Sequence, residues 1–284
     1  MIVLRELAKA KINFYLHVTG KRADNYHLLD SLIAFCNLGD KLEVISGDEI
    51  TVTVTGEFAE AVPAKDNSVI KAALALKTQF KVSQGAAITL HKHLPAGAGL
   101  GGGSADAAAA LRLLTRFWKI KPAAPELYKI ALSLGADVPA CLRSTSLYVG
   151  GVGETLESGP PLTGLPVVLV NPGKPLITRD VFAAHKLTTS SAPRHPHAFA
   201  TREALIQFLQ KNKNDLERTA IGLLPEIENV LSAFKAEKDC QLARMTGSGS
   251  TCFGCFADLP AAQNAAQKIG DKHPTWWVKA ATIQ

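Results

Sequence analysis

Cysteine, aromatic residues and long apolar runs are all scarce in this sequence, and each shortage excludes something. The five cysteines (Cys36, Cys141, Cys240, Cys252 and Cys255) are odd in number and widely spaced over 284 residues, which argues against a disulfide framework and for reduced thiols. No run approaches the roughly 18 consecutive apolar residues of a membrane helix, so no membrane partner is expected. Aromatic residues make up 6% of the chain, and the basic residues behind the net charge of +6 are scattered rather than drawn into a stripe. That distribution weighs against nucleic acid and fits small anionic ligands. No unit recurs at a period of about 20–50 residues, which excludes a repeat array. Arg5, Glu6, Lys9 and Lys11 interrupt the first stretch with charge, so no cleavable presequence is expected and the expected location is cytoplasmic. Neither metal pattern is complete. Cys252-Phe-Gly-Cys255 lies in an alternating apolar run read as a strand, where residues three apart face opposite sides. His91-Lys-His93 offers two imidazoles without a third ligand.

Hydrophobic residues are 47% and charged residues 20%, the balance of a globular chain long enough for one large or two medium domains. The Gly- and Pro-rich stretch 157–166 is the strongest internal punctuation, and it sets expected domains at residues 1–158 and 159–284. In the first, strands are read at Ile12–Val18, Lys41–Ile45, Ile50–Thr55 and Ala86–Leu94, with a helix at Asn67–Phe80. A second helix carries Ala107, Leu111, Leu114 and Trp118 on one stripe, and a third runs from Pro125 to a stop at Gly135. In the second domain a strand at Val167–Val170 precedes a loop at Leu187–Phe199. Helices at Arg202–Lys211 and Pro225–Glu237 follow, then a hairpin of Leu242–Thr246 and Thr251–Phe256, then a last helix and strand. The order β-α-α-β-β-α-β implies an antiparallel sheet with helices against it, and an α+β protein overall.

Glycine is the unevenly distributed residue. Gly97, Gly99, Gly101, Gly102 and Gly103 crowd into seven positions between the strand Ala86–Leu94 and a helix. A strand, a glycine loop and a helix N-terminus make an anion site, because glycines let the backbone approach oxyanions and the first helical N–H groups point at them. The helix dipole adds only about 0.3–1 kcal/mol, so hydrogen bonds from several N–H groups must carry most of the affinity. Ser104 can add a hydroxyl to phosphate or Mg²⁺. Asp106 suits either a helix start or a metal. The P-loop spelling fails because Gly103 stands where lysine is required. Gly97-Ala-Gly-Leu-Gly-Gly102 satisfies G-x-G-x-x-G, but no parallel βαβ repeat precedes it, and Lys121-Pro122 stands where a ribose-binding acid is required.

Three separated segments narrow the reading. Ala8-Lys-Ala-Lys-Ile-Asn13, the loop Pro95–Asp106 and Arg244-Met-Thr-Gly-Ser-Gly-Ser250 resemble, in order and spacing, the three motifs of the GHMP kinases. The resemblance covers essentially the whole chain. It implies a two-domain α+β architecture: an N-terminal ribosomal-protein-S5-like domain and a C-terminal ferredoxin-like antiparallel sheet with helices. It also implies a small-molecule kinase using ATP and Mg²⁺. With Gly20-Lys-Arg-Ala-Asp-Asn-Tyr-His27 and Leu134-Gly-Ala-Asp-Val-Pro139, the match is best to a branch whose substrate is a cytidine-diphosphate-linked methylerythritol.

The roles implied by that resemblance fall on named residues. Asp137 is the base for the substrate hydroxyl and Lys11 its charged partner. Pro95, Ala96, Gly97, Ala98, Gly99, Leu100, Gly101, Gly102, Gly103 and Ser104, with Gly247, Ser248 and Gly249, surround the ATP phosphates, and Ser104 is also the candidate Mg²⁺ ligand. Asn67 and Lys92 lie toward adenine. Asn13, Tyr26, His27 and Phe182 hold the cytidine end, where a tyrosine ring offers a pyrimidine a stacking face. Three departures from the family pattern stand out: Lys9 for proline, Asn25 for glycine and Ala105 for serine. Asparagine tolerates positive φ better than most residues, so a tight turn at Asn25 is expected to survive. A GHMP kinase for another alcohol such as homoserine or a mevalonate, a dinucleotide-dependent oxidoreductase and a nucleotide- or RNA-binding module are the alternatives. Either a monomer or a homodimer is compatible with the sequence.

Overall fold

A computed structural model describes residues 3–63, 65–186 and 190–284. Two long strands open the chain, β1 (Leu4–Lys21) and β2 (His27–Ile45), followed by β3 (Ile50–Thr55), α1 (Ser68–Gln79), β4 (Ala86–His91), α2 (Gly102–Phe117), α3 (Ala124–Leu134) and α4 (Val138–Arg143). Then come β5 (Leu147–Gly151), β6 (Thr155–Ser158), β7 (Pro166–Asn171), α5 (Thr178–Ala184), α6 (Arg202–Lys211), α7 (Glu217–Leu223) and α8 (Glu226–Lys235). The chain ends with β8 (Cys240–Met245), β9 (Cys252–Phe256), α9 (Leu259–Lys272) and β10 (Trp277–Thr282). Contacts divide these elements into two compact units, Met1–Ala10 with Leu38–Ala96 and Gly101–Ser144, and Lys11–Asn37 with Gly97–Leu100 and Thr145–Gln284. Both β1 and β2 pass from one unit into the other, and the stretch 157–166 lies within the second.

In the first unit the C-terminal half of β2 pairs antiparallel with β4, from Lys41 opposite His91 to Ile45 opposite Ala87. Strand β3 pairs parallel with β4 through the crossover α1. Alternation in β4 buries Ala86, Ile88 and Leu90. Helix α1 begins where Asn67 Oδ1 accepts the Ile70 N–H at 3.0 Å, as a cap residue should. Helix α2 carries an unbroken alanine run, Ala107–Ala110, all buried. Alanine costs least in helix propensity, and its small side chain lets α1 and α4 pack close. Helix α4 is not legible in the sequence, because six residues starting Val-Pro show no periodic stripe.

In the second unit β7 lies between β10 and β9, with β8 outside β9, and every pair is antiparallel as expected. All six residues of β7 are buried. Helix α8 buries Ile227, Val230, Leu231 and Phe234 on one face. The N-terminal half of β2 pairs with β5, and β5 with β6. Leu32–Cys36 is a continuous buried apolar run, a pattern whose periodicity does not distinguish strand from helix. The structure adds β5, β6, α5 and α7 to the expected elements, the two helices each seven residues long. Residues 190–199 form neither helix nor strand, as expected for the loop, whereas Leu187, Thr188 and Thr189 lie outside the described residues. Cys252 and Cys255 are fully buried on β9, and burial pushes both thiols up. They are inert core residues.

Candidate active site

The glycine loop takes the conformation its composition permits. Gly97, Gly99 and Gly101 have φ of 60, 72 and 67°, the left-handed region that side chains disfavour. At Gly99 close approach adds a second requirement, because a Cβ there would lie 2.4 Å from the Thr246 carbonyl oxygen and 2.8 Å from that of Gly249. Helix α2 starts after Gly101 without any side-chain cap. Its first-turn N–H groups are therefore not bonded to a side-chain cap. Pro95 and Ala96 lead into the loop, Ala98 and Leu100 are buried, and Gly102, Gly103 and Ser104 form the first turn of α2. A Cβ on Gly103 would meet nothing within 4 Å, so that face of the turn is open.

The turn Gly247–Gly249 is held against Gly99 by its own network. Asn214 Nδ2 donates to the Met245 and Gly247 carbonyls at 2.8 Å each, and the Thr251 N–H donates to the Ala98 carbonyl at 3.1 Å. A further segment, 171–178, joins it. The Leu176 N–H donates to the Gly97 carbonyl at 3.0 Å, Ser250 Oγ donates to the Lys174 carbonyl at 2.5 Å, and Thr178 Oγ1 and Ser248 Oγ share a hydrogen bond at 2.8 Å. Asn171, whose amide donates to Ser250 and Thr251 and whose Oδ1 accepts the Gly173 N–H, and Thr178 were not singled out from the sequence. The signal was available in Asn171-Pro172-Gly173 at the end of an apolar strand, a turn former directly beside a core element.

Lys11 sits on β1, 6% exposed. Its N–H donates to the Leu100 carbonyl at 2.9 Å and its ammonium to Asn13 Oδ1 at 2.9 Å. Asn13 Nδ2 donates to Ser31 Oγ, and the Asn13 N–H to Thr246 Oγ1, both at 2.8 Å. Lys11, Asn13, Leu100 and Thr246 thus form one hydrogen-bonded group. Lys9 does not interrupt β1. At the start of β2, Asn25 adopts φ of 71°, and the Arg22 N–H closes the turn onto the Tyr26 carbonyl at 2.8 Å. Tyr26 is 64% exposed. His27 lies with its ring centroid 5.1 Å from Phe182. His185, three residues after Phe182, stands 6.3 Å from His27 in an edge arrangement, with Nδ1 bonded to Thr219 Oγ1 at 3.2 Å. Burial first, then the charges of Lys21 and His185, lower the His27 pKa below its ordinary 6.5, so this ring stays neutral and keeps one acceptor nitrogen. His185 was also missed, although its helical spacing from Phe182 was the available clue.

In the first unit the residues expected near adenine have partners of their own. Asn67 Oδ1 caps α1 and its Nδ2 donates to the Pro63 carbonyl at 3.1 Å, leaving one amide hydrogen and one lone pair for a ligand. The Lys92 ammonium is buried between Asp40 Oδ2 at 2.5 Å and Asp106 Oδ2 at 2.7 Å. Asp40 Oδ1 accepts the His93 and Leu94 N–H groups at 2.6 and 2.8 Å, which anchors the entry to the glycine loop. Asp106 is neither helix cap nor surface metal ligand. It is 2% exposed, and its Oδ1 has no hydrogen-bond partner. Burial, together with a second carboxylate competing for one ammonium, raises its pKa to about 7, against the opposing pull of Lys92. Burial alone would lower the pKa of Lys92, but its two carboxylates outweigh that and raise it.

Asp137 is the residue before α4, and its side chain makes no cap bond. Arg112 ties down the other end of that helix, donating to the Cys141 carbonyl at 2.8 Å and to Glu6 Oε1 at 2.8 Å. Among the described residues no group of three or more His, Cys, Asp or Glu could hold a metal ion. His91 is bonded to Thr55 Oγ1 at 2.8 Å rather than paired with His93. Ser104 stands half-buried in the first turn of α2, and a nucleotide-bound Mg²⁺ takes most of its oxygens from phosphates and water, so it asks few ligands of a protein. Among the described residues no helix is long and apolar enough to cross a membrane.

Comparison with known proteins agrees along the whole length. The family profiles "GHMP kinases N terminal domain" and "GHMP kinases C terminal" match residues 67–145 and 197–275. The chain is 47% identical over 278 residues to the 4-diphosphocytidyl-2-C-methyl-D-erythritol kinase of Paramagnetospirillum magneticum, with 97% of each chain covered. It is 46% identical to that of Cereibacter sphaeroides, covering 97% of this chain and 98% of that one. A crystal structure of 4-(cytidine 5'-diphospho)-2C-methyl-D-erythritol kinase is similar with TM-score 0.79 at 30% identity, covering 99% of both chains. A homoserine kinase from Cytophaga hutchinsonii shares the fold with TM-score 0.70 at 18% identity, over 99% of this chain and 95% of that one.

Proposed function

The chain belongs to the GHMP kinase family, among its 4-diphosphocytidyl-2-C-methyl-D-erythritol kinases, and we propose on that basis that it transfers the γ-phosphoryl group of ATP to the 2-hydroxyl of 4-diphosphocytidyl-2-C-methyl-D-erythritol. The observation that carries this reading is 47% identity to one such kinase across 97% of both chains. The reaction is a step of the non-mevalonate route to isoprenoid precursors, carried out in the cytoplasm.

Phosphoryl transfer asks the protein mainly to position two substrates and to stabilise negative charge. The N–H groups of the glycine loop and of the first turn of α2 hold the phosphates, with the turn Gly247–Gly249 beside Gly99. Asn67 and the Lys92 region lie toward adenine. Ser104 would be the protein's ligand to a nucleotide-bound Mg²⁺, which would supply positive charge to the phosphates. Asn13, Tyr26, His27 and Phe182 take the cytidine end of the substrate. Asp137 accepts the proton of the attacking hydroxyl, and Lys11 places positive charge toward the transferring group.

The test is an ATP-consumption assay comparing the cytidine-linked erythritol with homoserine and mevalonate. Turnover restricted to the first is expected, and equal turnover of either other alcohol overturns the substrate assignment. Asp137→Asn is expected to lose about 10²- to 10⁴-fold in kcat while remaining folded. Near-normal turnover would remove Asp137 from the role of base.

A further inference from the structure

We propose that the segment 171–178 couples the two substrate subsites, so that nucleotide phosphates and the cytidine-linked substrate raise each other's affinity, with Thr178 as the positioning residue. This rests on the assignment of phosphates to the glycine loop and its neighbouring turn, and of the cytidine end to His27 and Phe182.

The segment is bonded to the phosphate-binding elements at three points. Leu176 N–H reaches the Gly97 carbonyl at 3.0 Å, Ser250 Oγ reaches the Lys174 carbonyl at 2.5 Å, and Thr178 Oγ1 meets Ser248 Oγ at 2.8 Å. A Cβ on Gly97 would lie 3.3 Å from Pro175 Cβ, so loop and segment are in direct packing contact. Thr178 is also the first residue of α5. One turn later that helix presents Phe182 to His27 at 5.1 Å, and its C-cap His185 is fastened to Thr219. The path from a phosphate-binding hydroxyl to the cytidine wall is therefore one hydrogen bond and one helical turn.

Hydroxyl chemistry gives the path a direction. Each hydroxyl has one hydrogen to donate and two lone pairs. Without nucleotide, either member of the Thr178–Ser248 pair can donate. A phosphate oxygen at the turn takes the Ser248 hydrogen, and Ser248 must then accept from Thr178. The pair loses its freedom to reverse, each bond polarises the next, and the start of α5 is held in the arrangement that places Phe182. Binding linkage is reciprocal, so the cytidine-linked ligand strengthens nucleotide binding by the same factor.

The experiment is calorimetric titration of the full chain with a non-hydrolysable ATP analogue and Mg²⁺, with cytidine 5'-diphosphate, and with each in the presence of the other. Wild type is expected to show about a 5- to 20-fold mutual gain, equal in both directions. In Thr178→Val the gain, taken as the ratio of each ligand's affinities with and without the other, falls to within about twofold of unity, whatever the affinity of either ligand alone. Thr178→Ser, which keeps the hydroxyl, restores it. Thr178 is exposed, so these variants fold, and an unchanged melting temperature checks that. A wild-type gain of unity with both ligands bound, or a full gain in Thr178→Val, overturns the coupling and leaves the subsites in place. Failure of wild type to bind either ligand overturns the subsite assignment and the coupling with it.

Discussion

Replacing Asp106 by asparagine should make the protein's stability less sensitive to pH. Asp40, Lys92 and Asp106 place two carboxylates on one ammonium, all nearly inaccessible to water. Asp40 is satisfied on both oxygens, by Lys92 and by the His93 and Leu94 N–H groups. Asp106 has one oxygen on Lys92 and the other unpartnered, so it is the carboxylate that retains a proton, with a pKa raised from 3.8 to about 7. The folded state then binds a proton that the unfolded state has released between about pH 4 and 7, and stability contributed by this group falls as pH rises through that window. At about 1.4 kcal/mol for each tenfold change in the proton equilibrium, the loss above about pH 7 is bounded at about 4 kcal/mol. The asparagine side chain cannot ionise, so urea denaturation of wild type and Asp106→Asn at about pH 5, 6, 7 and 8 should show the wild type losing ground up to about pH 7 and levelling off above it. Lys92→Met provides the contrast. It leaves Asp40 buried without its cation and should cost about 3–5 kcal/mol at about pH 8, less at about pH 5 where Asp106 is protonated. Parallel pH dependences for wild type and Asp106→Asn would refute the assignment of the shared proton.

Other perturbations have equally definite outcomes. Gly99→Ala places a Cβ 2.4 Å from the Thr246 carbonyl oxygen at a φ of 72°, so it should lower nucleotide affinity at least about tenfold by displacing the turn. Gly103→Ala, whose Cβ meets nothing within 4 Å, should raise the melting temperature slightly, and a comparable effect on stability from both would be a failure of the geometric argument. The His27 imidazole should titrate below 6.5 in an NMR experiment and move upward in Lys21→Gln, since Lys21 is one of the charges that, after burial, lower it. Stability contributed by the neutral ring is correspondingly lost as pH falls through that lowered value. Arg112→Ala removes the guanidinium from the Cys141 carbonyl and from Glu6 Oε1, with Arg116 still on Glu6 Oε2, and should cost about 1–3 kcal/mol by urea denaturation. Arg112→Lys should recover little of it, because an ammonium lacks the guanidinium's fork of donors; full recovery would show that charge alone matters.

What could be read from the residues was what depends on neighbours a few positions away. Asn67, Thr201 and Asp258 accept the N–H three residues on, each starting a helix; the sequence places the first start at its cap, the second at its first helical residue, and leaves the third without bounds. Gly97, Gly99 and Gly101 needed positive φ for the loop to turn, and Asn25 took it in place of the family's glycine. Three motifs in their order are enough to identify the family. The first half of β2, β5, β6, α4, α5 and α7 were not read, because continuous apolar runs, strands of four or five residues and helices of six or seven carry no decisive periodicity.

The sequence alone therefore determined the family, the antiparallel second sheet and the turning of the glycine loop. Tertiary structure decided the partners of the charged and polar groups. Lys92 was expected beside adenine, and the fold surrounds it with Asp40 and Asp106. Asp106 was expected at a helix start or on a metal, and the fold buries it against Lys92. The hydroxyl bond between Thr178 and Ser248 joins positions far apart in the chain. Local conformation is settled by sterics and hydrogen bonds within about four residues. The protonation and partner of a buried polar group depend on which distant strand or helix excludes water from it.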